Sequence, residues 1–130
     1  ILDSLNYKVY FLGKSDLGFE NLSLLSNVTS LINKTTVDET IYLLSIADLV
    51  ISNDSGLMHV ASAVSTKTLA IFGSTSPKYT PPLTKNGFSK IAYHNVDCSP
   101  CFKRKCPYGH LKCLNEIEVD EIMTEADNLL

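Results

Sequence analysis

The chain has 130 residues, which is enough for one domain with a single hydrophobic core. Hydrophobic residues make up 45% of it and charged residues 19%, and this composition excludes an intrinsically disordered chain. The net charge of -3 argues against a general nucleic-acid binder, and no apolar run approaches the roughly 20 residues that a membrane-spanning helix needs.

The predicted elements alternate along the chain between strands and helices. Short apolar runs rich in β-formers predict strands, and apolar residues at helical spacing predict helices. The predicted strands are YKVYFLG, VTSLIN, DLVISN, TLAIFG and SKIAYHN, and the predicted helices are LGFENLSLLS, the segment that opens with TVDE, LMHVASAV and VDEIMTEADNLL. We therefore predict an α/β fold, a Rossmann-like and mostly parallel sheet with helices on both faces.

Polar residues follow four of the predicted strands, at the point where each strand ends. The clusters are residues 13–16 (GKSD), 33–36 (NKTT), 53–56 (NDSG) and 73–76 (GSTS). The ends of parallel strands share one edge, and ligands bind in the crevice outside it. Loops also collect such residues without a function, but four clusters on one edge favour a ligand that carries phosphate and sugar. A P-loop is excluded, because Lys8 stands where its first glycine is needed, and no strand is followed by G-x-G-x-x-G.

The segment NDSGLMH carries the chemistry that such a site needs. A helix starting near Leu57 presents unpaired N–H groups and the positive end of its dipole, which suits a diphosphate. Gly56 lets a ligand approach the backbone closely, and Ser55 adds a hydroxyl donor. Asp54 would repel a phosphate and is better suited to accept hydrogen bonds from sugar hydroxyls. His59 either donates to a phosphate oxygen or lies in the core, and an N-cap role alone is the main alternative for Asp54 or Ser55.

Two stretches of the sequence resemble a known enzyme family. NDSGLMHVA and FGSTSPKYTPPL resemble the C-terminal domain of glycosyltransferase family 9, the bacterial lipopolysaccharide heptosyltransferases, with heptosyltransferase II the most similar branch. The resemblance runs from about Tyr7 to the end, and CSPCFKRKCPYGHLKC resembles a cysteine-rich insert of many members. It implies the GT-B architecture, in which two Rossmann-like domains hold the active site between them. The C-terminal domain of the family binds the donor ADP-heptose, and the N-terminal domain meets the lipid-linked acceptor.

The resemblance also implies roles for residues of this chain. Asp54 matches the carboxylate that contacts the donor sugar. Ser55 and Gly56 match the diphosphate-binding turn, which continues into Leu57, with His59 nearby. The resemblance implies inversion of the anomeric centre, with no metal ion in the chemical step. The partners are then a nucleotide sugar and the lipopolysaccharide core, with no nucleic acid.

A second acidic position precedes this segment. The family has an acidic residue for the nucleotide ribose at the start of the preceding helix, where this chain has Asp38 followed by Glu39. Which of the two faces the ribose stays open, because TVDE also matches a capping box that would occupy Glu39. The same helix is expected to turn Val37, Ile41 and Leu44 towards the core.

The chain lacks parts that the resemblance implies. No residue of it is expected to be catalytic, because the base belongs to an N-terminal acceptor domain that is absent, as is a donor-contacting lysine upstream of Ile1. The opening ILDSLN looks like the last turns of a helix, so we expect a piece of a longer protein. Residues 1–130 are then a donor-binding domain that does not transfer sugar alone. The full protein is expected to be cytoplasmic, with peripheral contact with the inner membrane as a further hypothesis.

Four cysteines follow the pattern C-x2-C-x4-C-x6-C. They are Cys98, Cys101, Cys106 and Cys113, and the histidines closest to them in the sequence are His94 and His110. Reducing conditions in the cytosol favour a metal ion over disulfides, and tetrahedral zinc accepts four cysteines or three with a histidine. The spacing matches no common zinc module, so structural zinc, disulfides and free thiols all stay open. In each case we expect a structural clip for a long loop.

The basic residues inside that segment allow a non-enzymatic hypothesis. A zinc-loop module would bind nucleic acid or protein through Lys103, Arg104 and Lys105. The sequence pI of about 5.5 and the scarcity of aromatics beyond Phe102 and Tyr108 favour the donor-binding hypothesis instead. The basic triplet then forms a solvated face or contacts the phosphorylated lipopolysaccharide core. Among enzymes, the alternative is another GT-B transferase with a different nucleotide sugar.

Overall fold

The described part of the chain contains strands and helices in the predicted order, with one additional short helix. A computed structural model describes residues 7–16, 26–84 and 87–130. The strands are β1 (Val9–Phe11), β2 (Val28–Ser30), β3 (Val50–Asn53), β4 (Thr68–Phe72) and β5 (Ser89–Tyr93), and the helices are α1 (Val37–Ile46), α2 (Gly56–Ala63), α3 (Lys112–Asn115) and α4 (Val119–Leu129). Each predicted strand is present, and the sequence does not predict α3. Apart from Ser26, the predicted helix LGFENLSLLS lies outside the described residues, as does the opening ILDSLN.

Contacts divide the chain into two compact units, Ile1–Tyr42 and Leu43–Leu130. In the first unit, β1 and β2 pair in parallel. The loops that follow them meet, because the side-chain amide of Asn33 donates to the Ser15 carbonyl at 2.7 Å and its oxygen accepts from the Ser15 N–H at 3.2 Å. The predicted common edge is therefore confirmed for these two strand ends.

Helix α1 begins with the predicted capping box. The N–H of Glu39 donates to Thr36 Oγ1 at 3.3 Å, and the N–H of Thr36 donates to Glu39 Oε2 at 2.8 Å. The predicted inner face is right for Leu44, which is buried, and wrong for Val37 and Ile41, which are exposed. The buried stripe instead runs through Thr40, whose hydroxyl donates to the carbonyl of Thr36 at 2.8 Å, so that its burial leaves no unpaired donor.

The second unit contains a three-stranded parallel sheet in the order β3-β4-β5. Successive side chains of a strand point to opposite faces. Leu69 on β4 packs with Leu129 of α4, whereas Phe72 on the opposite face packs with Met58 of α2. Helices therefore cover both faces of this sheet, as predicted, and the chain segments after β3 and β4 emerge at the same edge. None of the described helices has the length and apolar character to cross a bilayer.

Candidate functional site

The segment NDSGLMH joins β3 to α2 at the carboxyl edge of the sheet. The N–H of Asp54 donates to the carbonyl of Ile71 at 3.1 Å, which extends the pairing with β4 by one residue. Ser55 is the N-cap residue in an extended conformation, but its side chain makes no capping hydrogen bond. Its Oγ instead lies 3.2 Å from Ser52 Oγ. The side-chain cap suggested as the main alternative is therefore wrong for Ser55, and the first N–H groups of α2 receive no acceptor from it.

Gly56 is the first residue of α2 and is exposed. Its φ lies outside the left-handed region, and a Cβ atom added there would meet no heavy atom of residues 7–16, 26–84 or 87–130 within 4 Å. Neither the backbone conformation nor the packing thus requires a glycine here, which favours a role in admitting a ligand close to the backbone.

Asp54 is half-buried beside a residue that the sequence does not single out. Its Oδ2 accepts a hydrogen bond from Thr80 Oγ1 at 3.3 Å. Thr80 lies in the loop that follows β4, within the stretch FGSTSPKYTPPL. No partner for Oδ1 is recorded within the described residues, so this oxygen is available to a hydroxyl group of a ligand. Nothing in the local spacing links two residues that lie 26 positions apart.

The remaining side chains of the segment divide between core and solvent. Met58 is fully buried, as expected of a core residue, and Leu57 is half-buried. His59 is exposed, so the alternative that places it in the core is wrong. It lies one helical turn after Ser55, whose carbonyl accepts from the His59 N–H at 3.5 Å. A ligand at the start of α2 could therefore contact the exposed Gly56 and His59 and the half-buried Ser55.

The two acidic candidates of α1 differ in what they bind. The carboxylate of Glu39 accepts hydrogen bonds from the N–H and the hydroxyl of Thr36, at 2.8 and 3.0 Å, and these bonds lower the pKa of Glu39. Asp38 is exposed and makes no hydrogen bond or ion pair that the described part of the chain records. Glu39 is therefore committed to the capping box, and Asp38 is the acid that remains available. Both belong to the first unit, whereas Asp54 belongs to the second.

The four cysteines are half-buried free thiols that line one cavity of about 90 Å³. His110 lines the same cavity, with its Nε2 3.9 Å from Cys98 Sγ, whereas His94 pairs with Glu116 at 3.0 Å. Within residues 7–16, 26–84 and 87–130, no group of three His, Cys, Asp or Glu side chains is arranged to hold a metal ion. The arrangement thus gives the zinc hypothesis no support, and structural zinc stays a prediction.

The environment shifts the pKa values of two of the thiols, Cys113 and Cys106, in opposite directions. Burial raises the pKa of Cys113, and repulsion from the neighbouring thiols of Cys101 and Cys98 adds to the rise. Backbone hydrogen bonds, chiefly at Leu111, lower the pKa of Cys106, although desolvation acts against them. Cys106 is therefore expected to hold more thiolate near neutral pH than Cys113.

The cysteine-rich loop (residues 98–113) is attached to the end of β4. Ser99 Oγ donates to the carbonyl of Gly73 at 2.9 Å, and the N–H of Phe102 donates to the carbonyl of Ser74 at 2.7 Å. The side chain of Leu114, in α3, packs so closely on Gly73 that an added Cβ would lie 2.8 Å from its Cγ. A larger residue at position 73 would therefore require the Leu114 side chain to shift, and the loop is held by these contacts without a disulfide.

Comparison with known proteins identifies the family. The sequence profile of glycosyltransferase family 9 (heptosyltransferase) matches residues 1–112. The chain belongs to glycosyltransferase family 9. Lipooligosaccharide heptosyltransferase 2 of Campylobacter jejuni (serotype O:2) is 37% identical over 103 residues, which are 79% of this chain and 32% of that protein. Lipopolysaccharide heptosyltransferase 2 of Escherichia coli K12 is 32% identical over 104 residues, 78% of this chain and 28% of that protein.

A solved structure supports the same assignment. The E. coli ADP-heptose lps heptosyltransferase II matches with a TM-score of 0.52 and 26% sequence identity, covering 80% of this chain and 30% of that one. The predicted fold class, an α/β fold of the GT-B type, is confirmed by this match. The chain spans about a third of the length of these relatives. The predicted roles of individual site residues stay predictions.

Proposed function

We propose that this chain is the donor-binding part of an inverting glycosyltransferase that moves heptose from ADP-heptose to the inner core of lipopolysaccharide. One observation carries the proposal: the start of α2 combines an exposed, unconstrained Gly56 with first-turn N–H groups that Ser55 does not cap. The names of the heptosyltransferase relatives, and of the solved E. coli ADP-heptose enzyme, support the choice of sugar and nucleotide.

The diphosphate is assigned to the start of α2. A helix N-terminus carries a positive partial charge of about half a unit, and its unpaired N–H groups are donors for phosphate oxygens. The N–H groups of Gly56 and Leu57 belong to this first turn, which Ser55 directly precedes, with its hydroxyl 3.2 Å from Ser52 Oγ. Gly56 allows the phosphate to approach the backbone, since no atom of the described residues occupies the space where its Cβ would lie. His59, exposed on the next turn, is a further donor.

The sugar is assigned to Asp54. A carboxylate beside a diphosphate would repel it, whereas a carboxylate is a strong acceptor for the hydroxyl groups of a sugar. Thr80 occupies Oδ2, which leaves Oδ1 for the donor heptose. Asp54 then holds the sugar and is not the catalytic base.

The ribose is assigned to Asp38, with Glu39 as the cap of its helix. Glu39 already accepts two hydrogen bonds from Thr36, and a ribose hydroxyl would have to compete with them. Asp38 is exposed and has no such partner among the described residues. Its acidic side chain is therefore the better acceptor for the 2′- or 3′-hydroxyl.

The transfer itself is assigned to residues beyond this chain. Its donor-side groups bind, orient and neutralise the nucleotide sugar, and the group that removes the acceptor proton is expected in an N-terminal domain. The chain alone is then expected to bind ADP-heptose and to leave it intact. No metal ion is assigned to the chemical step, and a chelator should leave turnover of the complete enzyme unchanged. Heptose transfer by residues 1–130 alone would contradict the proposal that this chain binds the donor and does not catalyse transfer.

The complete protein is proposed to work in the cytoplasm at the inner membrane surface. Lys103, Arg104 and Lys105 are exposed side by side in the cysteine-rich loop. Clustered cations bind phosphorylated lipid surfaces through charge, and this attraction weakens with salt. Co-sedimentation with vesicles that contain phosphorylated lipopolysaccharide core should therefore decrease when the triplet is replaced by alanine or when salt is raised.

Thermal stabilisation by candidate ligands tests the proposal against its alternatives. ADP and ADP-heptose are expected to raise the Tm of the chain, since a ligand that binds only the folded state stabilises it. Stabilisation by an oligonucleotide without any effect of ADP would favour a nucleic-acid-binding module instead. Stabilisation by UDP- or GDP-sugars in preference to ADP-heptose would favour another GT-B transferase.

A further inference from the structure

We propose that Thr80 is a positioning residue for Asp54 and that the cysteine-rich loop holds Thr80 in place. The proposal rests on the proposed function, because it takes Asp54 as the group that binds the donor sugar. The backbone of Asp54 is fixed by its hydrogen bond to Ile71, but its carboxylate can still rotate about two side-chain bonds. The hydroxyl of Thr80, 3.3 Å from Oδ2, selects one of these orientations and turns the other oxygen towards the ligand.

The loop that carries Thr80 is itself folded tightly. We call residues 73–84 the proline-rich loop. The N–H groups of Tyr79 and Thr80 both donate to the carbonyl of Ser76, at 3.1 and 3.4 Å, and Ser76 is buried. Prolines at positions 77, 81 and 82 fix their own φ angles and so reduce the freedom of the turn. The position of Thr80 therefore depends on how the base of this loop is held.

The cysteine-rich loop contacts the proline-rich loop at three points, two of them at its base. Two are the hydrogen bonds of Ser99 to Gly73 and of Phe102 to Ser74. The third is a ring contact between Phe102 and Tyr79, whose centroids lie 6.0 Å apart at an interplanar angle of 56°. Tyr79 directly precedes Thr80, so the ring of Phe102 contacts the residue next to the one that orients Asp54.

The backbone of Phe102 supports the same assignment. Its φ is 56°, in the left-handed region that a bulky residue rarely occupies. Such a conformation persists when surrounding contacts hold it. The hydrogen bond to Ser74 and the ring contact with Tyr79 supply such contacts. They connect a loop lined with thiols to a loop that reaches the sugar-binding carboxylate.

The first experiment measures the affinity of the chain for ADP-heptose and for ADP in the wild type and in two variants. Thr80→Val keeps the size of the side chain and removes the hydroxyl, and it should weaken ADP-heptose binding about threefold to tenfold while leaving ADP binding unchanged. Thr80→Ser should restore the wild-type ratio of the two affinities. A purely structural role would lower both affinities together, so an unchanged ratio in Thr80→Val overturns the proposal. Failure of the wild-type chain to bind ADP at all would instead contradict the proposed function.

The second experiment tests the support from the cysteine-rich loop. Phe102→Gly removes the ring and tolerates the φ of 56°, so the fold is retained. It should reduce the preference for ADP-heptose over ADP, and adding Thr80→Val should reduce it no further, because both act through one contact. The matched control is Tyr108→Gly, which removes a ring that stacks on His110 at 5.6 Å in the same loop and should leave the preference unchanged. Additive effects of the Phe102 and Thr80 variants would overturn the link between them.

Discussion

Thr80 donates a hydrogen bond to Asp54 across the ends of two neighbouring parallel strands, with Thr80 Oγ1 and Asp54 Oδ2 3.3 Å apart. The pair joins the β3–α2 turn to the loop after β4, two segments that the register of the sheet brings to one edge. It leaves one carboxylate oxygen free of recorded partners in the described part of the chain. The proposed donor site follows from this arrangement and from the open start of α2.

Asp54→Asn is expected to weaken binding of ADP-heptose far more than binding of ADP. The substitution keeps the shape of the side chain and removes the charge that strengthens its hydrogen bonds to sugar hydroxyls. Such charged hydrogen bonds contribute about 1.5–3 kcal/mol, which corresponds to a loss of roughly 10- to 150-fold. Isothermal titration calorimetry with the two ligands measures it, with Asp127→Asn on the exposed side of α4 as the control. Equal losses for both ligands would place Asp54 at the nucleotide and not at the sugar.

Gly56→Ala is expected to leave the Tm unchanged and to weaken ADP binding about tenfold. The added methyl meets no atom within 4 Å in the part of the chain that the structure describes, so the fold tolerates it, but it fills the space through which the diphosphate reaches the backbone. Adenosine, which has no phosphates, serves as the matched ligand, and its affinity should not change. If the variant binds ADP as tightly as the wild type, the assignment of the diphosphate to the start of α2 is wrong.

Asp38→Ala and Glu39→Ala are neighbouring substitutions, and we expect the first to affect ADP binding and the second to affect stability. Asp38→Ala should weaken the binding of ADP and retain the Tm, because its carboxylate makes no recorded contact within the described residues. Glu39→Ala should lower the Tm, because it removes the hydrogen bonds that close the capping box with Thr36. Parallel calorimetric titration and thermal unfolding separate the two. The reverse pattern would assign the ribose to Glu39.

The contribution of Glu39 to stability is expected to disappear in acid. Its hydrogen bonds with Thr36 lower its pKa in the folded state, so the unfolded chain binds a proton more readily than the folded one. The stabilisation is then complete above the ordinary carboxyl pKa and is lost as the pH falls through the lowered folded value. The difference in Tm between wild type and Glu39→Ala should therefore shrink from neutral pH to about pH 3. A difference that stays constant over this range would show that the charge of Glu39 has no part in the cap.

Cys106 is expected to react with iodoacetamide before Cys113. The lowered pKa of Cys106 gives it more of the reactive thiolate at neutral pH, and the raised pKa of Cys113 gives it less. Mass spectrometry of peptides after short labelling times measures the order. Metal analysis of the same sample is the control: protection of all four thiols until a chelator is added, with one bound zinc per chain, would contradict the order and support the structural-zinc hypothesis.

The elements that the sequence predicts well are those whose signal is local. The run TLAIFG becomes β4 because its β-branched and apolar residues fill the centre of a sheet covered on both faces. The capping box of α1 forms because its two members lie only three residues apart. The polar ends of β1 and β2 also meet as expected, since parallel pairing alone brings them together.

The features that the sequence misses depend on distant or competing partners. Thr80 reaches Asp54 from 26 positions away, so only the path of the proline-rich loop determines the contact. The Ser55 hydroxyl lies beside Ser52 rather than capping α2, a choice between two nearby partners that a capping pattern does not resolve. The buried stripe of α1 passes through Thr40 because a satisfied hydroxyl can replace an apolar side chain. The four-residue helix α3 is too short for a periodic signal.

The most direct test of the donor site is an NMR titration of the 15N-labelled chain with ADP and with ADP-heptose. We predict that ADP shifts the amide signals of Gly56 and Leu57 most strongly, because their N–H groups bind the diphosphate. ADP-heptose should add shifts at Asp54 and Thr80, and adenosine should leave the α2 amides nearly unchanged. Shifts confined to the cysteine-rich loop, or an ADP response that omits the start of α2, would contradict the proposed donor site.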